Sequence, residues 1–269
     1  MGRLHLFEIH EQSWCPLDVK IGVRDALYTA WKLFFWKNTI PHLSDLIQKS
    51  DSSHIIDLCS GNGGPMPLIV DELTDKNPDL SVTLTDLFPH KEWINPLQKS
   101  QQNQKLKYHP QAINAKDVPS DMVGCRTLFE SFHHFTPDEA THILRDAVLS
   151  KQPIAVFEFQ RPSLFHAITT YPINMVPISS WLHLFHTPFT WKKLFLTIVP
   201  IIPFIIVLDG IVSVLRTYST EELRDVATKA GCEGYRWEIR QSKDLGNGLM
   251  TCLIGWPDDN DGVHIIEYE

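Results

Sequence analysis

The sequence predicts an α/β protein with a doubly wound, mostly parallel sheet, and three observations predict it. The apolar run from His54 to Leu58 breaks into a glycine loop, Cys59-Ser-Gly-Asn-Gly-Gly64, and meets Pro65, which suits the first position of a helix. A β-branched run, Ser81-Val-Thr-Leu-Thr-Asp86, ends in a carboxylate about two dozen residues past the loop, where a doubly wound sheet places its next strand. Two stretches, Thr136-Pro-Asp-Glu139 and Ser219-Thr-Glu-Glu222, have the S/T-x-x-E form of a capping box and mark helix starts between strands.

Composition bounds the answer. The chain of 269 residues is 43% hydrophobic and 21% charged, enough to bury a large core and unlike a disordered segment. A formal charge of -8, with no run of Lys or Arg, argues against a broad nucleic-acid surface. Five cysteines without a C-x-x-C pair read as reduced thiols of a cytoplasmic protein, and no metal-ligand spacing is present. No repeat or low-complexity linker divides the chain, so a single domain is expected. Its parts are an N-terminal cap over 1–50, a core over 51–161, an apolar insertion over 162–217 and the rest of the sheet over 218–269.

The first eight residues lack a charged-then-apolar signal pattern, and Leu6 stands where a myristoylation motif wants Ser or Thr. Between Asp25 and Lys37 the apolar residues Ala26, Leu27, Ala30, Trp31, Leu33 and Phe34 recur at helical spacing, which predicts a helical cap packed on the sheet.

The glycine loop follows. Glycines 61, 63 and 64 let the backbone take positive φ and come close to a ligand, and the next helix would aim its free N–H groups at the loop. A dinucleotide fingerprint needs Gly or Ala where Met66 stands, so NAD is disfavoured. A phosphate-binding Walker loop needs a lysine that does not come before Lys76. What is left is an acid at a strand end, Asp57, followed by a short glycine turn.

Further strands are predicted at Val123–Phe129, Ile154–Phe159, Tyr235–Arg240 and Leu249–Trp256, with helices over 137–149 and 220–230, the second closed by Gly231. The insertion carries Tyr171, Trp181, His183, Phe185, His186 and Trp191, then the apolar run Leu194–Leu208. That run falls short of the roughly 18 residues of a membrane span, and Pro200 and Pro203 would break it. It is expected to pack on the sheet or line an apolar acceptor pocket, with peripheral membrane contact as a further option.

Asp57-Leu-Cys-Ser-Gly61-Asn-Gly63 resembles the first motif, Asp-x-Gly-x-Gly-x-Gly, of the class I S-adenosylmethionine-dependent methyltransferases, with Cys59 at one glycine position. The resemblance implies a Rossmann-like, seven-stranded sheet whose last hairpin is antiparallel at one edge. It implies S-adenosylmethionine as cofactor, with Asp57, Cys59, Gly61 and Gly63 in its loop and Asp86, followed by Leu87, at its ribose. The bland alternative for Asp86 is a turn before Phe88-Pro89. Gln111-Ala-Ile-Asn-Ala-Lys-Asp-Val-Pro119 is similar to the family's Asp-Ala-x-x-x-Pro segment, which puts Asn114 and Ala115 near adenine; Asn114 can equally cap a turn. Phe129, ending the fourth strand, joins the cofactor set. Glu130-Ser-Phe-His-His-Phe135 is similar to the family's His-containing loop. The leading segment of such enzymes often closes over the cofactor, which makes Glu8, His10 and Trp14 candidate lid residues, against ordinary surface contacts.

The expected activity is methyl transfer by in-line displacement to a small, partly apolar acceptor, for which the protein supplies alignment, water exclusion and, where needed, a base. His133, His134 and Glu158 are the candidate catalytic residues, because ligands of open α/β sheets sit at the strand carboxyl ends. Arg161 is an alternative partner for Glu158, and Asp209 with Arg216 either orient a polar group or form an ion pair. The alternative function is a noncatalytic S-adenosylmethionine-binding regulator or scaffold, with a membrane surface, reached through the apolar insertion, as one place for it.

Overall fold

A computed structural model describes residues 3–61, 63–89, 105–160, 162–163, 165, 168–169, 176–231, 233–243, 249–258 and 265–268. The backbone divides into two compact units, one of Trp36–Phe159 with Ser219–Glu269 and one of Met1–Phe35 with Gln160–Tyr218.

The first unit is built on one sheet. Its strands are β1 (His54–Asp57), β2 (Ser81–Leu84), β3 (Leu106–Tyr108), β4 (Cys125–Phe129), β5 (Ile154–Glu158), β6 (Tyr235–Lys243), β7 (Leu249–Pro257) and β8 (Ile265–Tyr268), in the order β3-β2-β1-β4-β5-β7-β6-β8. The first five run parallel, and β7 lies antiparallel between β5 and β6. Strand order reverses at β1, with β2 on one side and β4 on the other, which is the topological switch point of a doubly wound sheet.

The sheet therefore has eight strands where seven were expected. The extra one, β8, pairs parallel with β6, Trp237 opposite Ile265, so the antiparallel hairpin sits inside the sheet and not at its edge. The fourth strand also starts later than its apolar pattern suggests. Gly124 takes φ 153°, and a Cβ there would meet the carbonyl oxygen of His54 at 2.6 Å, so regular pairing begins at Cys125.

Helices α2 (Trp36–Ser50), α3 (Met66–Lys76), α4 (Pro137–Leu149) and α8 (Thr220–Ala230) cover this sheet. Every residue of β4 and β5 is buried, the pattern of parallel strands covered on both faces. Both capping boxes form: the Thr136 and Ser219 side chains accept the amides of Glu139 and Glu222, whose carboxylates accept the cap amides in return. Gly231 ends α8 at φ 124°. The fully buried Arg126 of β4 donates to Asp146 of α4 at 2.6 Å, tying strand to helix.

The stretch over 25–37 is helical as expected, but not one regular α-helix. Helix α1 runs over Leu17–Ala30, a π-helical turn over Trp31–Phe35 follows, and the chain then enters α2 with Pro41 inside it.

The second unit holds α1, the π turn, α5 (Val176–His186), α6 (Trp191–Ile198) and α7 (Ile201–Arg216). Its core joins Cys15, Val19, Val23 and Ala26 to Ile202, Ile205 and Ile206. Gly22 makes this approach possible, because a Cβ there would collide with Ile202. The leading segment is pinned to α7: Ile9 and His10 donate their amides to the Asp209 carboxylate at 2.6 and 3.0 Å, and Ser213 donates to Glu8 at 2.6 Å. Asp209 and Arg216, a candidate pair by sequence, thus take other partners; Arg216 faces Glu8 at 3.5 Å and Glu11 at 3.7 Å. Trp14, the third candidate lid residue, is exposed.

Pro200 breaks the apolar run as expected, and α6 meets α7 at a bend of 67°. Among the described residues no single helix is long and apolar enough to cross a membrane. Arg161 and Tyr171 lie outside the described residues.

Candidate cofactor site and active site

The loop between β1 and α3 lies at the switch point of the sheet, and its shape follows from its residues. Gly61, Gly63 and Gly64 take φ of 54°, 110° and 51°. At Gly63 a Cβ would press on Pro67 at 3.1 Å, whereas at Gly61 and Gly64 it would meet nothing within 4 Å. Those two positions face open space, so only their backbone conformation demands glycine. Cys59 takes φ 57°, keeping the left-handed backbone that a glycine adopts more easily. Pro65 stands just before α3, and Met66 is buried at the start of that helix.

Two carboxylates hold this loop. Asp57, at the end of β1, is buried and accepts from Ser60 Oγ and from Thr127 Oγ1, both at 2.6 Å. Burial pushes its pKa up to about 7 against the pull of those two hydroxyls, and the Asp86 charge adds to the rise. Asp86 accepts the Gly61 amide on one oxygen and the Phe88 amide on the other, each at 2.8 Å. It is therefore both the turn-starting acid of the bland reading and a direct partner of the glycine loop. The phenol of Tyr108, at the end of β3, donates to the Gly61 carbonyl at 2.8 Å.

The other sequence candidates fall as follows. Ile113 donates its amide to the Asp86 carbonyl at 2.9 Å, which carries Asn114 and Ala115 directly past the strand end. Asn114 Oδ1 accepts the Lys116 amide at 3.0 Å, so it does cap a turn. Leu87 is exposed, and Ala115 is buried. Phe129 stacks on Phe157, ring centroids 4.8 Å apart and nearly coplanar.

Past β4, a short 3-10 turn carries Phe132, His133 and His134. Glu158, ending β5, accepts the amides of Phe132 and His133 on Oε1, at 2.8 and 3.2 Å, and meets His133 Nδ1 at 2.6 Å on Oε2. A carboxylate only accepts, so Nδ1 carries a proton. Glu158 and the His133 ring are both buried, and the His134 ring lies 4.2 Å from that of His133. Glu130, at φ 47°, accepts the Phe159 amide and lines the same strand ends.

Sequence reasoning missed Ser60, Tyr108, Thr127 and Glu130. A signal existed for Thr127, a hydroxyl in the middle of a fully buried strand, opposite Asp57 in register. Tyr108 reaches Gly61 across 47 residues of sequence, and no local pattern announces it.

No protein-family model matches this chain, and no curated protein matches it. Among solved structures it is similar to a candidate O-methyltransferase from Nostoc punctiforme, with 14% identity and a TM-score of 0.50, over 95% of this chain and 64% of that one. The fold is that of the class I S-adenosylmethionine-dependent methyltransferases. The chain spans 64% of the length of that methyltransferase. More distant likenesses include the mitomycin 7-O-methyltransferase MmcR, at 14% identity, 88% and 54% coverage and TM-score 0.45. Human N-acetylserotonin methyltransferase, in a complex with the cofactor, follows at 11%, 80%, 50% and 0.43. In this methyltransferase fold the glycine loop and the His133–Glu158 pair both lie at the carboxyl ends of the parallel strands.

Proposed function

We propose that the chain is an S-adenosylmethionine-dependent methyltransferase acting on a hydroxyl of a small, partly apolar acceptor. The observation that carries this reading is the glycine loop held by Asp57 and Asp86, with open space over Gly61 and Gly64. The residues suit the cofactor. Gly61, Gly63 and Cys59 would let its amino-acid end approach backbone, and each Asp86 oxygen keeps a lone pair for a ribose hydroxyl after accepting its amide. Asn114 would meet adenine through its amide nitrogen while Oδ1 keeps its turn, with Ala115, Leu87 and Phe129 as apolar neighbours.

When bound there, S-adenosylmethionine supplies a methyl group already activated for displacement. The protein's own part is a proton and a geometry. Glu158 fixes the His133 ring through Nδ1, and Nε2 of the neutral ring would take the acceptor's hydroxyl proton as its oxygen bonds the methyl carbon and the carbon–sulfur bond breaks, the pair leaving with the sulfur of S-adenosylhomocysteine. His134, against the same ring, shapes the acceptor side. The name of the Nostoc structure supports an oxygen acceptor.

Calorimetric titration with S-adenosylmethionine, S-adenosylhomocysteine and NAD tests the cofactor, and turnover on a panel of phenols and enols tests the reaction. Tight binding of both sulfur compounds with methylated product is the expected result. Binding of NAD alone, or cofactor binding with no product across the panel, overturns the reading.

A further inference from the structure

Helix α6 turns two polar residues inward. Lys193 is 4% exposed and donates to Asp25, to Thr187 Oγ1 at 2.9 Å and to the Pro188 carbonyl at 2.7 Å. Thr197 is 0% exposed and bonds the Lys193 carbonyl at 2.9 Å, with His183 Nε2 at 3.4 Å. Three of its apolar residues point out, while Leu196 packs on the core of the unit. Trp191, Phe195 and Ile198, spaced so that they form one stripe, are 77%, 61% and 59% exposed. Phe189 meets Trp191 edge to face, Phe185 at the end of α5 is 83% exposed, and Phe204 of α7 is exposed as well. A surface helix in water has the opposite polarity, and a clustered aromatic face of this kind marks a contact surface.

The chemistry of the stretch says what the contact is. No Asp or Glu occurs from Pro162 to Leu208, although the chain has 32 acidic residues. Lipid phosphates repel carboxylates and tolerate Lys and Trp, whereas a protein partner sets no such condition on one sign of charge. The carboxylate beside this face, Asp18, is paired at 3.0 Å with Lys192, whose long exposed side chain can reach headgroups from an apolar face. Helices α6 and α7 together have the length and composition of a span, yet their bend of 67° prevents a straight crossing. An apolar wedge at the interface satisfies both facts.

We propose that this face, α6 with Phe185, Phe189 and Phe204, docks the unit onto a phospholipid bilayer. The proposal does not depend on methyl transfer.

Flotation of the full chain with phosphatidylcholine vesicles, with and without phosphatidylglycerol, tests it, using Trp191→Ser/Phe195→Ser and Lys192→Glu variants. Both changes are at exposed positions, and unchanged melting temperatures confirm folding. The wild type should float with vesicles. The double variant should lose about tenfold or more in partitioning, and K192E should lose binding selectively on vesicles containing phosphatidylglycerol. A wild type that stays unbound on both vesicle types overturns the proposal, as does a double variant that floats equally. Lipid-free self-association abolished by the double substitution, without vesicle binding, would instead make the face a contact between two copies of the chain.

Discussion

Asp86 holds the amide of Gly61 at 2.8 Å, so the carboxylate expected at the ribose also fixes the turn beneath the rest of the cofactor. In the proposed function one side chain would serve the ligand twice, by contact and by preorganisation.

Asp86→Ala should weaken S-adenosylmethionine binding by more than about tenfold, the scale of a lost charge-assisted hydrogen bond. Asp86→Asn should keep part of the affinity. Calorimetry comparing these with His134→Ala, which should bind nearly as the wild type, checks the assignment; equal losses would count against it.

Asp57 links stability to pH. Its folded pKa, about 7, lies above the ordinary 3.8, so the folded chain holds the proton longer than the unfolded one. Stability from this group is fullest below 3.8, falls as pH rises and levels off above about 7. The full span is on the order of 4 kcal/mol. Asp57→Asn removes the titration while the Ser60 and Thr127 hydroxyls, able to donate or accept, can still pair with it. Thermal melts between mildly acidic and neutral pH should show a decline in the wild type that is flatter in the variant.

Cys59 stands in a left-handed conformation. Cys59→Gly should leave the fold and cofactor affinity within about twofold, since glycine takes this backbone freely. Cys59→Val should destabilise by roughly 1–2 kcal/mol, because a β-branched side chain resists it. Denaturant melts with the same titration separate the two outcomes.

His133→Ala should lower kcat by about 100-fold or more while cofactor affinity stays near wild type. Added imidazole should restore part of the rate. Glu158→Gln should show a smaller loss in kcat, with KM little changed, because it acts by orienting the ring and not by touching substrate. Steady-state kinetics on any phenol that turns over reads both.

In the second unit, Asp25→Ala should destabilise by about 3 kcal/mol, since it strips the buried Lys193 ammonium of its charge partner. Asp25→Ala combined with Lys193→Met should recover much of that loss in chemical denaturation.

Local chemistry made much of the fold legible. The two capping boxes, the strand ends at Asp57 and near Asp86, and the break at Pro200 each depend on residues within a few positions of one another. The same holds for the proximity of His133 and Glu158 only in part: both lie at strand ends, but their contact joins residues 25 apart, through the pairing of β4 with β5. Strand β8 escaped because four residues, Ile-Ile-Glu-Tyr, bear no alternation long enough to read, and their pairing with β6 is set by tertiary context. The helical stretch expected at 25–37 formed, but its one irregularity was not legible. Apolar spacing cannot reveal that the backbone widens into a π turn at Trp31.

The position of β7 bears on how the chain must be made. On the ribosome, β5 emerges with one edge unpaired, and its partner there is not β6, the next strand to appear, but β7 after it. The whole aromatic insertion leaves the exit tunnel while that edge is still open. A nascent chain that exposes an unpaired strand and an apolar helix pair together is prone to misassociate, so this order of synthesis favours early shielding of the insertion, by a chaperone or by a bilayer.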